Sequence, residues 1–479
     1  MPLHDTVGAN QTAQQQLVQA LGSSSVITDA SDVRRYCRDW HGDVTTDAVA
    51  VLRPDSTAAV SRTVQVCAEL GLAIVTQGGN TGLVLGATPD DPTTQVVLTL
   101  ERMNRIRAVD PDDFSAVVEA GCILQTVQEA AEAQGMLFPL SLGAEGSCQI
   151  GGNVSTNAGG INVLRYGMAR EQVLGLEVVM ANGEILDLLG TLRKDNRGLD
   201  LKQLFIGAEG TLGIVTAVAL KLHPRAEQVE TALLGVASLQ DAIALYRRAR
   251  RDCCDLMTAF EFMPPEAFAL AQDAVADLTL PMAPDYPAYV LMEVSGSGLV
   301  DIKALLETFL ENVMADGLLK DGVLASSRSQ ADVFWKIREG MIEGQAMRGT
   351  HLRTDVSVSL SRLADFVHQA QTQLRAAFPA CLTLSYGHVG DGNIHINVLP
   401  AVGTPVDERV QIIASAKHMI NAVIDEFKGS ISAEHGIGRL KREEFEARLG
   451  PAQRQALTAI KRALDPSLRL NPRCQLALN

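Results

Sequence analysis

From Gly146 to Val163 the chain contains no Lys, Arg, Asp or Glu, while Gly, Ser, Thr and Asn crowd the same stretch. The whole chain has a formal net charge of −15, so an uncharged polar run of this length is not an ordinary solvent loop. It predicts a long irregular backbone buried around a ligand. Glycines interleaved with Ser, Thr and Asn let backbone N–H groups converge on an anion such as a pyrophosphate. Two more glycine clusters stand nearby: Gln77-Gly-Gly-Asn-Thr-Gly82 after a strand-like run, and Gly207-Ala-Glu-Gly-Thr-Leu-Gly213 before one. A single such cluster is most simply a tight turn. Three of them favour a ligand cradle. The dinucleotide fingerprint G-x-G-x-x-G is absent, because Gly296/Gly298 is followed by Asp301 and Gly436/Gly438 by Lys441. A Walker A pattern is absent too, which argues against a Rossmann or P-loop site.

The acidic balance excludes nucleic acid and anionic membrane as main partners. No apolar stretch approaches the roughly 20 residues of a membrane span. Met1-Pro-Leu-His-Asp-Thr lacks the basic and apolar regions of a secretory signal. Eight scattered cysteines without CxxC suit free thiols in a reducing compartment, and the expectation is a cytoplasmic protein. Ungrouped thiols also argue against an iron–sulfur cluster.

A length of 479 residues implies about two to four domains. In the first half, a short amphipathic helix is expected at 11–22. Asp55-Ser56-Thr57 caps a helix running to Gly71, and strands follow at 72–76, 96–100 and 116–119. Asn182-Gly183 marks a hairpin, and 211–222 reads as a long apolar strand. His223-Pro224 breaks the pattern. Beyond it, strand-like runs at 229–236, 257–263, 288–295, 353–358, 382–389 and 394–399 alternate with long helical runs, predicting a sheet covered by helices. The expected division is 1–224, 225–428 and a C-terminal segment, 429–479.

A second constraint lies at Ser385-Tyr-Gly-His388-Val-Gly-Asp-Gly-Asn-Ile-His395-Ile-Asn397. If Asp391-Gly392 forms a two-residue type I′ turn, His388 lies opposite His395 and Tyr386 opposite Asn397. Cross-strand Cβ atoms are then roughly 4.5–5.5 Å apart, close enough for two imidazoles to share a metal ion. Ala433-Glu434-His435-Gly436 offers a carboxylate and a third imidazole. The bland alternative is a glycine-rich hairpin with two surface histidines.

Together these motifs resemble FAD-dependent dehydrogenases of the vanillyl-alcohol oxidase/p-cresol methylhydroxylase type, within them the D-2-hydroxyacid group that includes D-2-hydroxyglutarate and D-lactate dehydrogenases. The likeness runs from about residue 45 to 475. It rests on Gln77–Gly82, Pro139-Leu-Ser-Leu-Gly143 through Gly160, Gly207–Gly213, His388–Asn397, Glu434-His435-Gly436 and Asn471-Pro472. The resemblance implies an α+β fold: a two-part PCMH-type FAD-binding domain, to which the C-terminal segment returns, plus a cap (substrate) domain with a largely antiparallel sheet covered by helices. It implies an FAD site built from Gln77, Gly78, Gly79, Asn80, Thr81, Gly82, Pro139, Ser141, Gly143, Ser147, Gly151, Gly152, Asn153, Ser155, Thr156, Ala158, Gly159, Glu209, Gly210, Gly213, Ile214 and Asn471. It carries over a metal, Zn²⁺ or alternatively Mn²⁺, on His388, His395 and Glu434. It further implies His435 as base, and Arg338, in Trp335-Lys-Ile-Arg-Glu339, as anchor of the substrate carboxylate. Three departures stand out. Gln77 occupies a position often filled by Arg. Asn80-Thr81 stands where members with covalent flavin commonly have His, so non-covalent FAD is expected. Arg353 replaces the Lys that helps hold the distal carboxylate in D-2-hydroxyglutarate dehydrogenases.

The chemistry expected is oxidation of a D-2-hydroxyacid to the 2-oxoacid. Asn397 binds substrate or orients a ligand, and Arg338 and Arg353 favour a diacid such as D-2-hydroxyglutarate or D-malate over D-lactate or glycolate. The remaining alternatives are a non-catalytic flavin-binding subunit of an oxidase complex and an NADPH-dependent flavin reductase. Reduced flavin needs an external acceptor: an electron-transfer flavoprotein, a quinone or O₂. A homodimer is compatible with all of these readings.

Overall fold

The computed structural model describes residues 3–478 and divides into two compact units. The first comprises the residues up to Gly160, Gly167–Arg225 and Glu434 onward; the second comprises Ile161–Tyr166 and Ala226–Ala433. Helices and mostly antiparallel sheets make up both, the mixed α+β class expected from the sequence.

In the first unit, a four-stranded sheet runs in the order Val26–Ile27, Val51–Leu52, Gln95–Thr99, Ala73–Gln77. The last three strands are parallel, and helix Thr57–Glu69, capped by Ser56, connects two of them. Five antiparallel strands form a second sheet around Ile214–Lys221, whose residues are buried almost throughout. Val118, Leu176, Val178 and Val218 of this sheet join Ile74, Val96 and Leu98 of the other in one hydrophobic core. The chain end closes this unit. Leu470 bridges Ile74, with Ile74 N–H donating to Arg469 O and Asn471 N–H to Ile74 O.

The second unit centres on an antiparallel sheet in the order Met257–Met263, Ala288–Gly296, Gln228–Val236, Asp321–Leu324. Helices Arg328–Met347 and Glu266–Ala274 pack closely, because Gly340 and Gly344 leave no side chain between them. A Cβ at Gly344 would sit 2.0 Å from Leu270 O. A smaller sheet pairs Asn393–Leu399 with Leu382–Tyr386 and Val356–Ser357.

Two local expectations are corrected. The uncharged run is not irregular throughout: Ile150–Ser155 is a short helix, although no residue from 147 to 163 is exposed. The hairpin register is shifted by two residues, with Tyr386 opposite His395 and Leu384 opposite Asn397. Only Gly392 of the supposed turn pair has positive φ, at 82°, while Val389–Asp391 forms a 3-10 turn. The cause lies outside the hairpin: Gly387 exchanges both backbone hydrogen bonds with Phe262 of the larger sheet, which removes it from the ladder.

Candidate functional site

The three glycine clusters converge within the first unit. A Cβ on Gly79 would lie 2.0 Å from Ser147 O, so the 78–82 loop packs directly on the uncharged run. Gly78 faces Gln149 and the backbone N of Gly152. Glu209 N–H donates to Ser155 O at 2.7 Å and Gly207 N–H to Val154 O at 3.1 Å, which ties in the third cluster. From Gly78 to Gly82 no backbone N–H finds an acceptor among the described residues. Buried Gln149 Oε1 and Asn153 Oδ1 likewise lack partners. A loop of unclaimed N–H groups with orphaned amide oxygens beside it fits the pyrophosphate and polar edges of FAD.

Several residues expected at the cofactor also brace the protein. Gln77 Nε2 donates to Tyr36 O and Ala87 O, and Asn80 Nδ2 to Arg38 O. Glu209 accepts from the backbone N–H of Ile437 and Gly438, both at 2.8 Å, holding the turn after Glu434-His435. Asn471 Nδ2 donates to Gly86 O and Glu209 O, and its Oδ1 accepts from Arg439. Gly213 makes room for Val178 and Phe205 rather than for a ligand. Ile214 is buried in the core. Pro139, Ser141 and Gly143 follow strand Met136–Leu137, where Ser141 O lies 1.8 Å from a Cβ built on Gly160. Gly159 abuts Glu434, with its ideal Cβ 2.9 Å from Glu434 Oε1. Thr156 Oγ1 bonds back to Gly152 O, Ala158 N–H donates to Asn153 O, Gly151 is buried closely against Ala120, and Gly210 is buried beside the side chains of Thr76 and Asn471.

A separate constellation is built inside the second unit. Glu261, mid-strand and 1% exposed, accepts from His388 Nδ1 at 2.5 Å through Oε1 and from Arg338 Nε at 2.9 Å through Oε2. Burial raises the pKa of Glu261, but His388 and Arg338 more than offset this and hold it at about 2. An ionised carboxylate only accepts, so His388 donates from Nδ1, which turns Nε2 away from Glu261. His395 Nδ1 faces Thr354 O at 2.8 Å, which turns its Nε2 away from that carbonyl. The two rings are 6.2 Å apart, so the pair stays close although the register is not the expected one. Glu434 follows Ala433, whose N–H donates to Asp355 O of this unit. Two imidazoles with Nδ1 engaged in this way fit a divalent metal.

Arg338 is 6% exposed, and its guanidinium stacks over the Tyr386 ring at 5.1 Å. Among the described residues only its Nε is hydrogen-bonded, so both Nη groups are uncommitted. Asn397 Nδ2 donates to Gln345 Oε1 and the Tyr386 hydroxyl, and its Oδ1 accepts from Thr354 N–H. It holds the Tyr386 hydroxyl. Arg353 is exposed and donates from Nε to His351 Nε2 at 3.2 Å. Sequence reasoning missed Glu261 entirely, since one Glu in an apolar strand has no local signature. Glu293 was missed too. It accepts from Thr231, Thr258 and Trp335, and its pKa is raised because burial outweighs these neutral donors.

Comparison with known proteins bears on both units. Residues 48–189 match a family model described as FAD binding domain, and 225–474 match FAD linked oxidases, C-terminal domain. A probable mitochondrial D-2-hydroxyglutarate dehydrogenase of Oryza sativa subsp. indica is 40% identical over 454 residues, covering 94% of this chain and 79% of its own. A D-2-hydroxyglutarate dehydrogenase of Xanthomonas citri pv. viticola is 38% identical over 466 residues, covering 95% of each. Among solved structures, p-cresol methylhydroxylase with substrate bound aligns at TM-score 0.76 and 16% identity over 98% of this chain and 97% of that one, a likeness of fold. The cytoplasmic expectation is corrected: relatives from rice, Arabidopsis thaliana and Danio rerio are named mitochondrial. No helix among the described residues is long and apolar enough to cross a membrane. The chain belongs to the FAD-linked oxidases, of the vanillyl-alcohol oxidase/p-cresol methylhydroxylase type that its motifs resemble, and FAD is its cofactor.

Proposed function

We propose that the chain oxidises a D-2-hydroxy diacid, D-2-hydroxyglutarate or D-malate, to the 2-oxoacid. The observation that carries this reading is Arg338: buried, oriented by Glu261 through Nε alone, and with both Nη groups available for a bidentate grip on an α-carboxylate. Non-covalent FAD, seated on the 78–82 loop and the 147–160 run, supplies the hydride acceptor. A divalent metal, Zn²⁺ or Mn²⁺, held by His388, His395 and Glu434 would lower the pKa of the substrate hydroxyl. His435, adjacent to Glu434 in the chain, takes the hydroxyl proton. Arg338 fixes the carboxylate end of the substrate, so that the carbon bearing the hydrogen is held in one orientation. Tyr386, clamped by Asn397, keeps the guanidinium plane in place. Arg353 reads the distal carboxylate of a diacid. The D-2-hydroxyglutarate dehydrogenases of rice and Xanthomonas support that choice. Electrons then leave to an electron-transfer flavoprotein or a quinone.

A second reading, D-lactate or glycolate oxidation, is favoured by one observation. Arg353 is exposed and already bonded to His351, so leaving it without a substrate partner costs little. Anaerobic mixing with a panel of D-2-hydroxyacids, followed by flavin absorbance, tests both. Rapid bleaching by the diacids, with slower bleaching by D-lactate and none by NADPH, is expected. Bleaching by NADPH alone would defeat the dehydrogenase reading.

A further inference from the structure

We infer that Glu261 is a positioning residue for this reaction, one carboxylate that aims both the imidazole of His388 and the guanidinium of Arg338. The inference rests on the roles of those two residues proposed above.

Glu261 lies in the middle of Met257–Met263, a strand buried at every position, and pairs with Leu291 of the next strand. An apolar side chain would be the less costly occupant there, since a buried charge must be compensated by partners. Its two oxygens are divided with no overlap: Oε1 faces His388 Nδ1 and Oε2 faces Arg338 Nε. These partners sit on unrelated segments, the loop at 388 and the helix Arg328–Met347. Tyr386, two residues before His388, stacks on the guanidinium of Arg338, and Glu261 is hydrogen-bonded to both side chains at once, which makes the carboxylate their common reference point. It takes up Nδ1 of His388, which turns Nε2 away from the carboxylate, and leaves both Nη groups of Arg338 uncommitted. Glu293 provides the contrast. Two register pairs away, opposite Ala259, it bonds to Thr231, Thr258 and Trp335, and so fastens the same helix without a charged partner. Fastening the helix therefore does not require an ion pair. The charge of Glu261 is explained by the two groups it aims.

The test uses holoenzyme carrying Glu261→Gln, Glu261→Asp, Arg338→Met, the Glu261→Gln/Arg338→Met double change, or His388→Ala. A Gln has a single acceptor oxygen, so one of the two bonds must be lost. Glu261→Gln is expected to keep FAD, weaken Zn²⁺ binding by roughly 10–100-fold and raise KM for D-2-hydroxyglutarate by about tenfold. Glu261→Asp should recover part of both. In the Arg338→Met background, Glu261→Gln should raise KM no further. A Glu261→Gln enzyme with lowered Tm but wild-type KM and Zn²⁺ affinity would overturn the inference, as would additive KM effects in the double variant. If Glu261→Gln yields no holoenzyme, Glu261→Asp decides, and wild-type values there overturn it. If His388→Ala retains its Zn²⁺, the metal assignment fails instead, and the KM comparison alone decides the role of Glu261.

Discussion

Gly387 and Phe262 exchange two backbone hydrogen bonds, Gly387 N–H to Phe262 O at 3.0 Å and Phe262 N–H to Gly387 O at 2.9 Å. This bridge pulls the start of the loop away from its hairpin partner and delivers His388 to Glu261. Gly387 adopts φ 146°, and a Cβ there would meet Asn393 O at 3.0 Å. Gly387→Ala is expected to destabilise the fold by about 1–3 kcal/mol, the usual cost of such backbone strain. Activity should fall further than stability explains, because His388 is displaced. Thermal denaturation and kcat/KM on the same preparation check this; wild-type kcat/KM would mean that the bridge does not position His388.

FAD should be released by denaturation. Asn80 donates from its side chain to Arg38 O, and Thr81 offers no nucleophile of the kind that links flavin. Acid precipitation is expected to leave all the yellow colour in the supernatant. Colour retained in an SDS-washed pellet would contradict it.

Replacing His388 by Ala should remove metal and activity together while FAD stays bound, since the glycine loops belong to the other unit. Elemental analysis and flavin absorbance measure the two independently. Unchanged metal content in this variant would rule out His388 as a ligand.

Arg353→Met should depress kcat/KM for D-2-hydroxyglutarate more than for D-lactate, by up to about 1.5–3 kcal/mol for a charge-assisted bond. The exposure of Arg353 sets the expectation toward the lower end of that range. Equal losses for both substrates would show that Arg353 does not read a distal carboxylate.

Glu293 makes stability depend on pH in a defined direction. Burial raises its folded pKa above that of the unfolded carboxyl. Between those two values the folded state binds more protons, so this contribution to stability declines as pH rises through the window. Glu293→Gln keeps an acceptor for Trp335 and the threonines but removes the charge. Its Tm should exceed wild type near neutral pH, and the gain should vanish below about pH 4. A pH-independent difference would mean that Glu293 does not titrate in the folded protein.

Much of this protein is legible in the linear chain because its signals are local. Glycine clustering and the absence of charge from 146 to 163 announced a buried cradle, since a backbone that must approach a ligand tolerates neither side chains nor unpaired charges. Asn182-Gly183 and the break at His223-Pro224 are equally local, because turn geometry depends on a few φ angles. The hairpin register was not legible, because the competitor for Gly387 lies 125 residues earlier in the chain, at Phe262. For the same reason Glu261, Gln345 and Asn397 look like unrelated residues in sequence, and the bonds of Gln77, Glu209 and Asn471 to remote segments are invisible there. Which polar groups are already satisfied by one another depends on distances between remote segments, and only the tertiary structure decides those distances.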